Sequence, residues 1–271
     1  MLQETPFDIL AETYDSAFTK SSIGMIQRKR VWSLLTPILQ SFNRPLKILE
    51  INCGTGEDAL HFAKMGHAVI ATDASEVMIE KCQQKLFASK VNRDQIKFIR
   101  CSFARLTEHF KNETFDFIFS NFGGINCIDK NSIEQLNKDL SSITAPGAYL
   151  FLTVMSRLCL WEILYYSFKG KFSHAFRRRK KLVNFKINNS SMPVFYYSPH
   201  DLKKLFQLEF KPVQTYPVGL FIPPSYLEKQ FLNRRHWLNR LERWEEIWGK
   251  YSLFSSIADH FCIVLKRNGQ E

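Results

Sequence analysis

The chain has 271 residues, of which 45% are hydrophobic, and it carries a formal net charge of +11. This length and apolar content allow a sizeable core and exclude a chain that is disordered throughout. The six cysteines form no CxxC pair and no His/Cys cluster, which indicates reduced thiols and no metal site. The N-terminal segment 1–6 has neither a basic nor an apolar region, so we expect no signal peptide and a cytoplasmic protein.

Taken in chain order, apolar runs alternate with amphipathic ones. Strands are predicted at 47–51, 68–72, 96–100, 115–120, 148–154, and near 210–218 and 260–266. Helices are predicted at 57–65, 75–89 and 131–144, with a further helix starting at Ser198-Pro199. Pro146-Gly147 predicts a turn before the fifth strand. This alternation favours a parallel sheet with helices on both faces.

The turn after the first strand has a composition typical of a nucleotide site. Gly54 and Gly56 let the backbone bend and approach a ligand closely, and the following helix offers free N–H groups. Asp73 ends the second strand, where a carboxylate can accept two hydrogen bonds from ribose hydroxyls. Because the same pattern fits a dinucleotide fingerprint, the glycines alone leave an NAD-dependent dehydrogenase open.

Two motifs together resemble the class I S-adenosylmethionine (SAM)-dependent methyltransferases, particularly the small-molecule branch similar to ubiquinone and menaquinone C-methyltransferases. The family motif acid-x-Gly-x-Gly-x-Gly aligns with 50–56, and the opening Phe-Asp-x-x-Ala-x-x-Tyr-Asp aligns with 7–15. The acid Glu50 suits an ammonium and a sulfonium better than a pyrophosphate, which favours this family over a dehydrogenase. Asn52 replaces the first glycine. Since Asn tolerates positive φ, we expect Asn52→Gly to leave SAM affinity the same or better.

The resemblance implies a three-layer, Rossmann-like α/β fold with a seven-stranded, mostly parallel sheet, and SAM as the cofactor. Ser102 stands where the family commonly places an acid for the adenine amine, and can still form a hydrogen bond. The loop after the fourth strand should face the transferred methyl group, so Gly123 and Asn126 are predicted to contact the acceptor. The predicted cofactor contacts are Tyr14, Glu50, Asn52, Cys53, Gly54, Thr55, Gly56, Asp73, Ala74, Met78, Ser102, Phe103, Asn121 and Phe122.

Two segments, about 156–194 and 222–249, exceed the core of the single methyltransferase domain that we expect over 1–271. Both carry aromatic residues at helical spacing, and both are predicted to form a lid over the acceptor. Trp161 and Tyr165 are expected to line an apolar cavity, with the run Arg177–Lys181 near its entrance. A transmembrane span over 148–168 is disfavoured by Arg157 and Glu162, whereas shallow contact with a membrane surface stays open.

These features predict methyl transfer from SAM to a small, partly apolar acceptor, with an anionic end or an acidic carrier protein as further expectations. No general base is assigned, because a sulfonium methyl group is already an activated electrophile. The isoelectric point near 9.4 has low specificity for nucleic acid, and no RNA-binding module is visible, so nucleic acid is disfavoured as a partner. Two rivals remain open: an RNA methyltransferase, and a catalytically silent SAM-binding or partner-binding protein.

Overall fold

The computed structural model of the chain describes residues 6–187 and 190–269. Most of segment 1–6, from which no signal peptide was predicted, lies outside the described residues, as do 188–189 in the first predicted lid. The strands are β1 (Lys47–Ile51), β2 (Ala68–Asp73), β3 (Ile96–Arg100), β4 (Phe115–Ser120), β5 (Thr144–Met155), β6 (Leu182–Ile187), β7 (Ser190–Phe195), β8 (Phe210–Val218) and β9 (His260–Arg267). The helices are α1 (Pro6–Tyr14), α2 (Ser22–Gln40), α3 (Glu57–Lys64), α4 (Glu76–Ala88), α5 (Leu106–Phe110), α6 (Lys130–Ser142), α7 (Leu160–Phe168), α8 (Phe172–Ala175), α9 (Pro199–Phe206), α10 (Glu228–Phe231) and α11 (Arg235–Trp248).

Seven of these strands form one sheet in the order β3-β2-β1-β4-β5-β9-β8. The first five run parallel, and β9 is antiparallel to both of its neighbours. The strand order reverses between β1 and β4. In an open α/β sheet, ligands bind in the crevice at the carboxyl end of such a switch point. The predicted seven-stranded sheet is confirmed.

Both faces of the sheet are buried, because successive side chains of β4 point to opposite faces and pack into different core clusters. Ile118 packs into one core cluster with Leu140 of α6, whereas Phe117 and Phe119 pack into the other. The Phe119 ring lies 5.0 Å from that of Phe62 in α3, edge to face. Burying one such phenylalanine stabilises the fold by about 1.5–3 kcal/mol. Helices on both faces confirm the three-layer arrangement.

The predicted turn at Pro146-Gly147 is wrong, because β5 already begins at Thr144. The pairing with β4 shifts register between Phe115 and Phe117, and Gly147 has φ +75° within this irregularity. The two residues therefore bend a strand that continues on both sides of them.

The first predicted lid is only partly helical. The helical spacing over 158–176 is confirmed by α7 and α8, which Gly170 separates with φ +67°. After them the chain forms an unpredicted antiparallel hairpin of β6 and β7, with Val183 opposite Val194. The apolar run 148–168 is divided between β5 and α7, and no helix of the described residues has the length and apolarity to span a bilayer.

The second predicted lid, α10 and α11, packs against α2. Leu238 of α11 forms a small core cluster with Ile23 of α2 and Ile222. The Glu245 carboxylate of α11 accepts backbone N–H groups from 219–222, including Gly219 at 2.8 Å and Phe221 at 2.7 Å. This carboxylate fixes the turn after β8, which explains why an acidic residue of α11 is buried.

Candidate active site

A cavity of about 440 Å³ opens where β1 to β5 end at the carboxyl edge of the sheet. It lies at the switch point between β1 and β4, where the topology predicts a ligand. Its lining residues are Phe7, Tyr14, Asn52, Gly54, Asp73, Ala74, Met78, Cys101, Ser102, Phe103, Ala104, Asn121, Phe122, Gly123, Gly124, Cys127, Ile128, Met155, Met192 and Val194.

The carboxylate of Asp73 fixes the glycine loop. One of its oxygens accepts the Gly54 N–H at 2.9 Å, and the other accepts the Ser75 N–H at 3.0 Å. Each carboxylate oxygen has a second acceptor site, so both can still accept ribose hydroxyls from the cavity. Burial raises the pKa of Asp73 to about 6, although the two backbone amides oppose that shift.

Asn52 has φ +58°, which confirms the positive φ expected at this place. Its side chain, however, does more than allow the turn. Its amide donates to the backbone oxygen of Asn121 at 2.9 Å, and its carbonyl accepts the Ser120 hydroxyl at 2.5 Å. A Cβ on Gly124 would lie 2.1 Å from the side-chain carbon of Asn52, so only glycine fits there. Asn52 therefore ties the β1 loop to the β4 loop.

We expect Asn52→Gly to weaken both the fold and SAM binding, which corrects the expectation that it would be neutral. The change keeps the positive φ but leaves the groups of Ser120 and Asn121 without their partner, which costs about 1–3 kcal/mol. Urea unfolding and calorimetry with S-adenosylhomocysteine would measure the two losses. Asn43→Gly is the matched control, because Asn43 is exposed and also has positive φ (+52°). Equal behaviour of the two variants would show that the Asn52 side chain is dispensable.

Four predicted cofactor contacts do not line the cavity: Glu50, Cys53, Thr55 and Gly56. Thr55 donates its hydroxyl to Asp15 at 2.6 Å, and a Cβ on Gly56 would lie 2.9 Å from the sulfur of Cys82. Cys53 also packs against Cys82, with the two sulfurs 3.9 Å apart. These residues support the loop from behind, and their direct contact with the cofactor stays a prediction.

Glu50 is buried beneath the loop, with 1% of its surface exposed. Burial, reinforced by Asp58, raises its pKa well above the usual range, although Arg28 opposes the shift. One carboxyl oxygen has no hydrogen-bond partner among the described residues. Burial therefore favours the uncharged acid, and a contact of Glu50 with a cationic group of the cofactor stays a prediction.

The N-terminal helix α1 closes one side of the cavity with Phe7 and Tyr14. Tyr14 lies over the glycine loop, with its ring 3.7 Å from the place of a Cβ on Gly54. Asp8 of the same helix hydrogen-bonds the hydroxyl of Ser75, which attaches α1 to the start of α4. Burial raises the pKa of Tyr14 to about 12, so it stays neutral at physiological pH. Ser102 and Phe103 line the opposite wall, where the adenine amine was predicted.

Three predicted acceptor contacts do not line the cavity. Asn126 is fully buried, and its side chain joins the Met155 amide at 2.8 Å to the Phe195 carbonyl oxygen at 2.6 Å. Trp161 donates to the Phe221 carbonyl at 2.8 Å and packs on Phe231, and neither it nor Tyr165 lines the cavity. The Tyr165 hydroxyl instead hydrogen-bonds Lys169 and Gln230.

Sequence reasoning missed most of the apolar wall at this end of the cavity. Met155 ends β5, and Met192 and Val194 project from the β6–β7 hairpin beside Cys127 and Ile128. The period-two placement of Met192 and Val194 in 190–195 is a strand signal that puts both on one face. Gly123, which was predicted to contact the acceptor, does line the cavity.

The described residues at the acceptor end include no side chain type that ordinarily takes up a proton near neutral pH. None of the described lining residues is His, Lys, Arg or Glu, and burial raises the pKa of the Cys127 thiol to about 12. His260 lies behind Phe122, with the two rings 5.4 Å apart, and pairs with Asp259. Within the described part of the chain, no group of three His, Cys, Asp or Glu side chains could hold a metal ion.

The class of protein follows from three features: the strand order of the sheet, the glycine loop, and the carboxylate of Asp73 at the cavity. Together they define a Rossmann-like domain for a cofactor that contains a nucleoside. Residues 48–147 match the family described as methyltransferase domain. A SAM-dependent methyltransferase from Methanosarcina mazei shares the fold with TM-score 0.60 and 17% identity, covering 86% of this chain and 98% of that one. Magnesium protoporphyrin IX methyltransferase from Synechocystis PCC 6803, with bound S-adenosylhomocysteine, gives TM-score 0.58 and 14% identity over 91% of this chain and 85% of that one.

Two relatives share sequence with part of the chain. The tRNA 5-carboxymethoxyuridine methyltransferase of Escherichia coli (strain K12) is 28% identical over 111 residues, which are 41% of this chain and 42% of that protein. Demethylmenaquinone methyltransferase of Clavibacter sepedonicus is 28% identical over 151 residues, 55% of this chain and 56% of that protein. The chain thus spans about half the length of the relatives it matches. The match over 48–147 confirms the resemblance to methyltransferases predicted from the sequence, together with SAM as the cofactor.

Proposed function

We propose that the protein transfers the methyl group of SAM to a small, partly apolar molecule. One observation carries this proposal: the cofactor side of the cavity, with Gly54 and Asp73, continues into an apolar end formed by Met155, Met192 and Val194. A mostly apolar cavity with a few polar groups is the usual form of a small-molecule site. The kinship with a quinone methyltransferase supports an apolar acceptor.

The residues of the cavity fit the cofactor. Asp73 offers two acceptor sites for ribose hydroxyls, and Met78 and Phe103 offer apolar surfaces to a base. When bound, SAM supplies an electrophilic methyl group on a sulfonium. The chain contributes position and exclusion of water, because the β6–β7 hairpin covers the acceptor end.

The acceptor class follows from the absence of a base among the described lining residues. An acceptor that needs a proton removed would find no group with a suitable pKa next to Met155 or Met192. We therefore propose an acceptor that ionises by itself near neutral pH, such as a carboxylic acid, an acidic phenol or an enol. The acidic carrier protein expected from the sequence stays a prediction.

An RNA acceptor is the second candidate, because one relative is a tRNA methyltransferase. The basic run that would dock RNA is partly engaged within the protein, since Arg177 and Arg178 both pair with Glu162. The small-molecule acceptor therefore has the stronger support.

Filling the apolar end should separate acceptor use from cofactor binding. We expect Met192→Trp to reduce methyl transfer roughly tenfold or more, because the indole occupies the acceptor space, and to leave affinity for S-adenosylhomocysteine within about twofold. Transfer would be measured with methyl-labelled SAM and a panel of aryl carboxylic acids, acidic phenols and hydroxyquinones, followed by organic extraction. Met65→Trp is the control, because Met65 is exposed at the end of α3.

Label that enters bulk tRNA instead of the organic phase would favour the RNA methyltransferase. Tight binding of S-adenosylhomocysteine without transfer to either class of acceptor would favour the catalytically silent protein.

A further inference from the structure

An apolar stripe on α7 and α8 lies exposed at the protein surface. Leu160, Leu164 and Phe168 follow one another at a spacing of four, so they share one face of α7. Their exposed fractions rise along the helix from 38% to 47% and 88%. Phe172 and Phe176, 62% and 40% exposed, continue the apolar surface beyond the turn. Large exposed apolar patches mark interaction sites, whereas single exposed residues are ordinary.

The same segment, residues 160–182, is strongly basic at its surface. Lys169 and Lys171 flank the turn between the two helices, and Arg179, Lys180 and Lys181 follow, all exposed. No Asp or Glu occurs in the sequence between Glu162 and Asp201, and Glu162 itself is buried. The surface that carries the phenyl rings is therefore positive, without acidic side chains of its own segment to neutralise it.

We propose that the segment 160–182 binds the surface of a membrane that contains anionic lipids. Phenylalanine and leucine side chains enter the boundary between headgroups and acyl chains, while lysine and arginine stay at the level of the phosphates. Each basic side chain near an anionic surface adds to the attraction. Binding to such a surface needs exposed apolar side chains and basic side chains close together, and the segment provides both.

Charge and side-chain type favour lipid over other occupants. A second copy of the same basic surface would be repelled by it. RNA would also be attracted, and its bases would stack on phenyl rings, but stacking gives Leu160, Leu164 and Leu182 no role. A bilayer buries leucine and phenylalanine alike. The mixture of exposed aliphatic and aromatic residues therefore fits a bilayer better than an RNA strand.

The position of the segment connects it with the cavity. It runs directly into β6, whose partner β7 places Met192 and Val194 at the acceptor end. An apolar acceptor dissolved in the membrane would reach the cavity beside the bound surface. This consequence rests on the proposed function, whereas membrane binding itself does not.

The test is cosedimentation of the full chain with phosphatidylcholine vesicles, with and without phosphatidylglycerol, and without cofactor. We expect binding only when phosphatidylglycerol is present. The double variant Phe168→Ser, Phe172→Ser should lose roughly a hundredfold in partitioning, since each phenyl ring contributes about tenfold or more. Lys169→Glu with Lys171→Glu should remove the preference for the anionic lipid. Phe87→Ser is the matched control, because Phe87 is 74% exposed on α4, beside the other end of the sheet.

Three results would overturn the proposal: no binding to anionic vesicles, equal losses for the Phe87 control and the Phe168/Phe172 variant, or binding of bulk tRNA in place of vesicles. Calorimetry with S-adenosylhomocysteine on the same preparations keeps the two proposals apart. A protein that binds the cofactor but no vesicles would leave the proposed function intact.

Discussion

Replacing Asp73 by alanine is expected to weaken SAM and S-adenosylhomocysteine binding roughly ten- to several-hundred-fold. The carboxylate can accept hydrogen bonds from two ribose hydroxyls, and hydrogen bonds to a charged group are worth about 1.5–3 kcal/mol each. The same carboxylate accepts the Gly54 N–H, so its removal also frees the glycine loop. Titration calorimetry on the variant and the parent protein would measure the loss. Retained affinity in the Ala variant would show that Asp73 serves the loop alone.

The pH dependence of binding gives an independent test of the same residue. Burial raises the pKa of Asp73 to about 6 in the free protein. Ribose hydroxyls donate to the ionised carboxylate, so below this pKa a proton must leave before the cofactor binds well. We therefore expect affinity to be constant above about pH 7 and to fall as pH drops through about 6. In Asp73→Asn this fall should disappear. An unchanged pH profile in that variant would assign the titration to another group.

The cofactor side of the site could be predicted because its signals are local. Gly54 has a positive φ in the turn after β1, and Asp73 ends the apolar strand β2. The role of each residue can be predicted from the few residues next to it in the sequence. The sequence could not reveal that Asn52 reaches the β4 loop, because that contact depends on how two distant strands pair. A pattern shows which conformation a residue tolerates, and the fold decides what its side chain meets.

The acceptor side was predicted less well, for a related reason. Aromatic spacing placed Trp161 on a helix, but it gave no information on the neighbour against which that helix packs. In the structure, Trp161 donates a hydrogen bond to the Phe221 carbonyl oxygen. The acceptor end of the cavity is lined instead by Met192 and Val194, which lie on a hairpin farther along the chain. Periodicity identifies a buried face, and the identity of its partner requires the tertiary structure.

The basic run at 177–181 shows how a charged sequence can hide a core residue. The run was expected near the cavity entrance, yet Arg178 is buried, with 4% of its surface exposed. It donates to Glu162 at 2.8 Å and to Asp259 at 2.6 Å, and further to the Asp259 backbone oxygen at 2.8 Å. This one guanidinium therefore joins α7 to the start of β9. Both of its carboxylate partners lie far from it in the sequence, so composition could not separate it from Arg179.

Replacing Arg178 by methionine should lower the free energy of unfolding by about 3–5 kcal/mol, because two buried carboxylates lose their shared cationic partner and keep only Arg177 for Glu162 and His260 for Asp259. Arg179→Met, one residue later and exposed, should change it by less than about 0.5 kcal/mol. Urea unfolding of the two variants beside the parent protein measures the difference. Similar losses in both would mean that water or a side-chain rearrangement satisfies Glu162 and Asp259 without Arg178.

The pH dependence of this loss has a definite sign. Burial alone would raise the pKa of Glu162, but Arg178 and Arg177 hold it below its usual value. The pKa of Asp259 is also lowered, because His260 and Arg178 outweigh the effect of its burial. Depressed carboxyl pKa values stabilise the fold above the unfolded values near 4, and that contribution is lost as pH falls through the folded ones. Without Arg178, the folded pKa of each carboxyl rises, although Arg177 still pairs with Glu162 and His260 with Asp259, so acid relieves part of the unpaired charge. The Arg178→Met deficit should therefore be largest at neutral pH and shrink as the pH falls. A deficit that stays constant over this range would assign the loss to packing of the arginine stem and not to its charge.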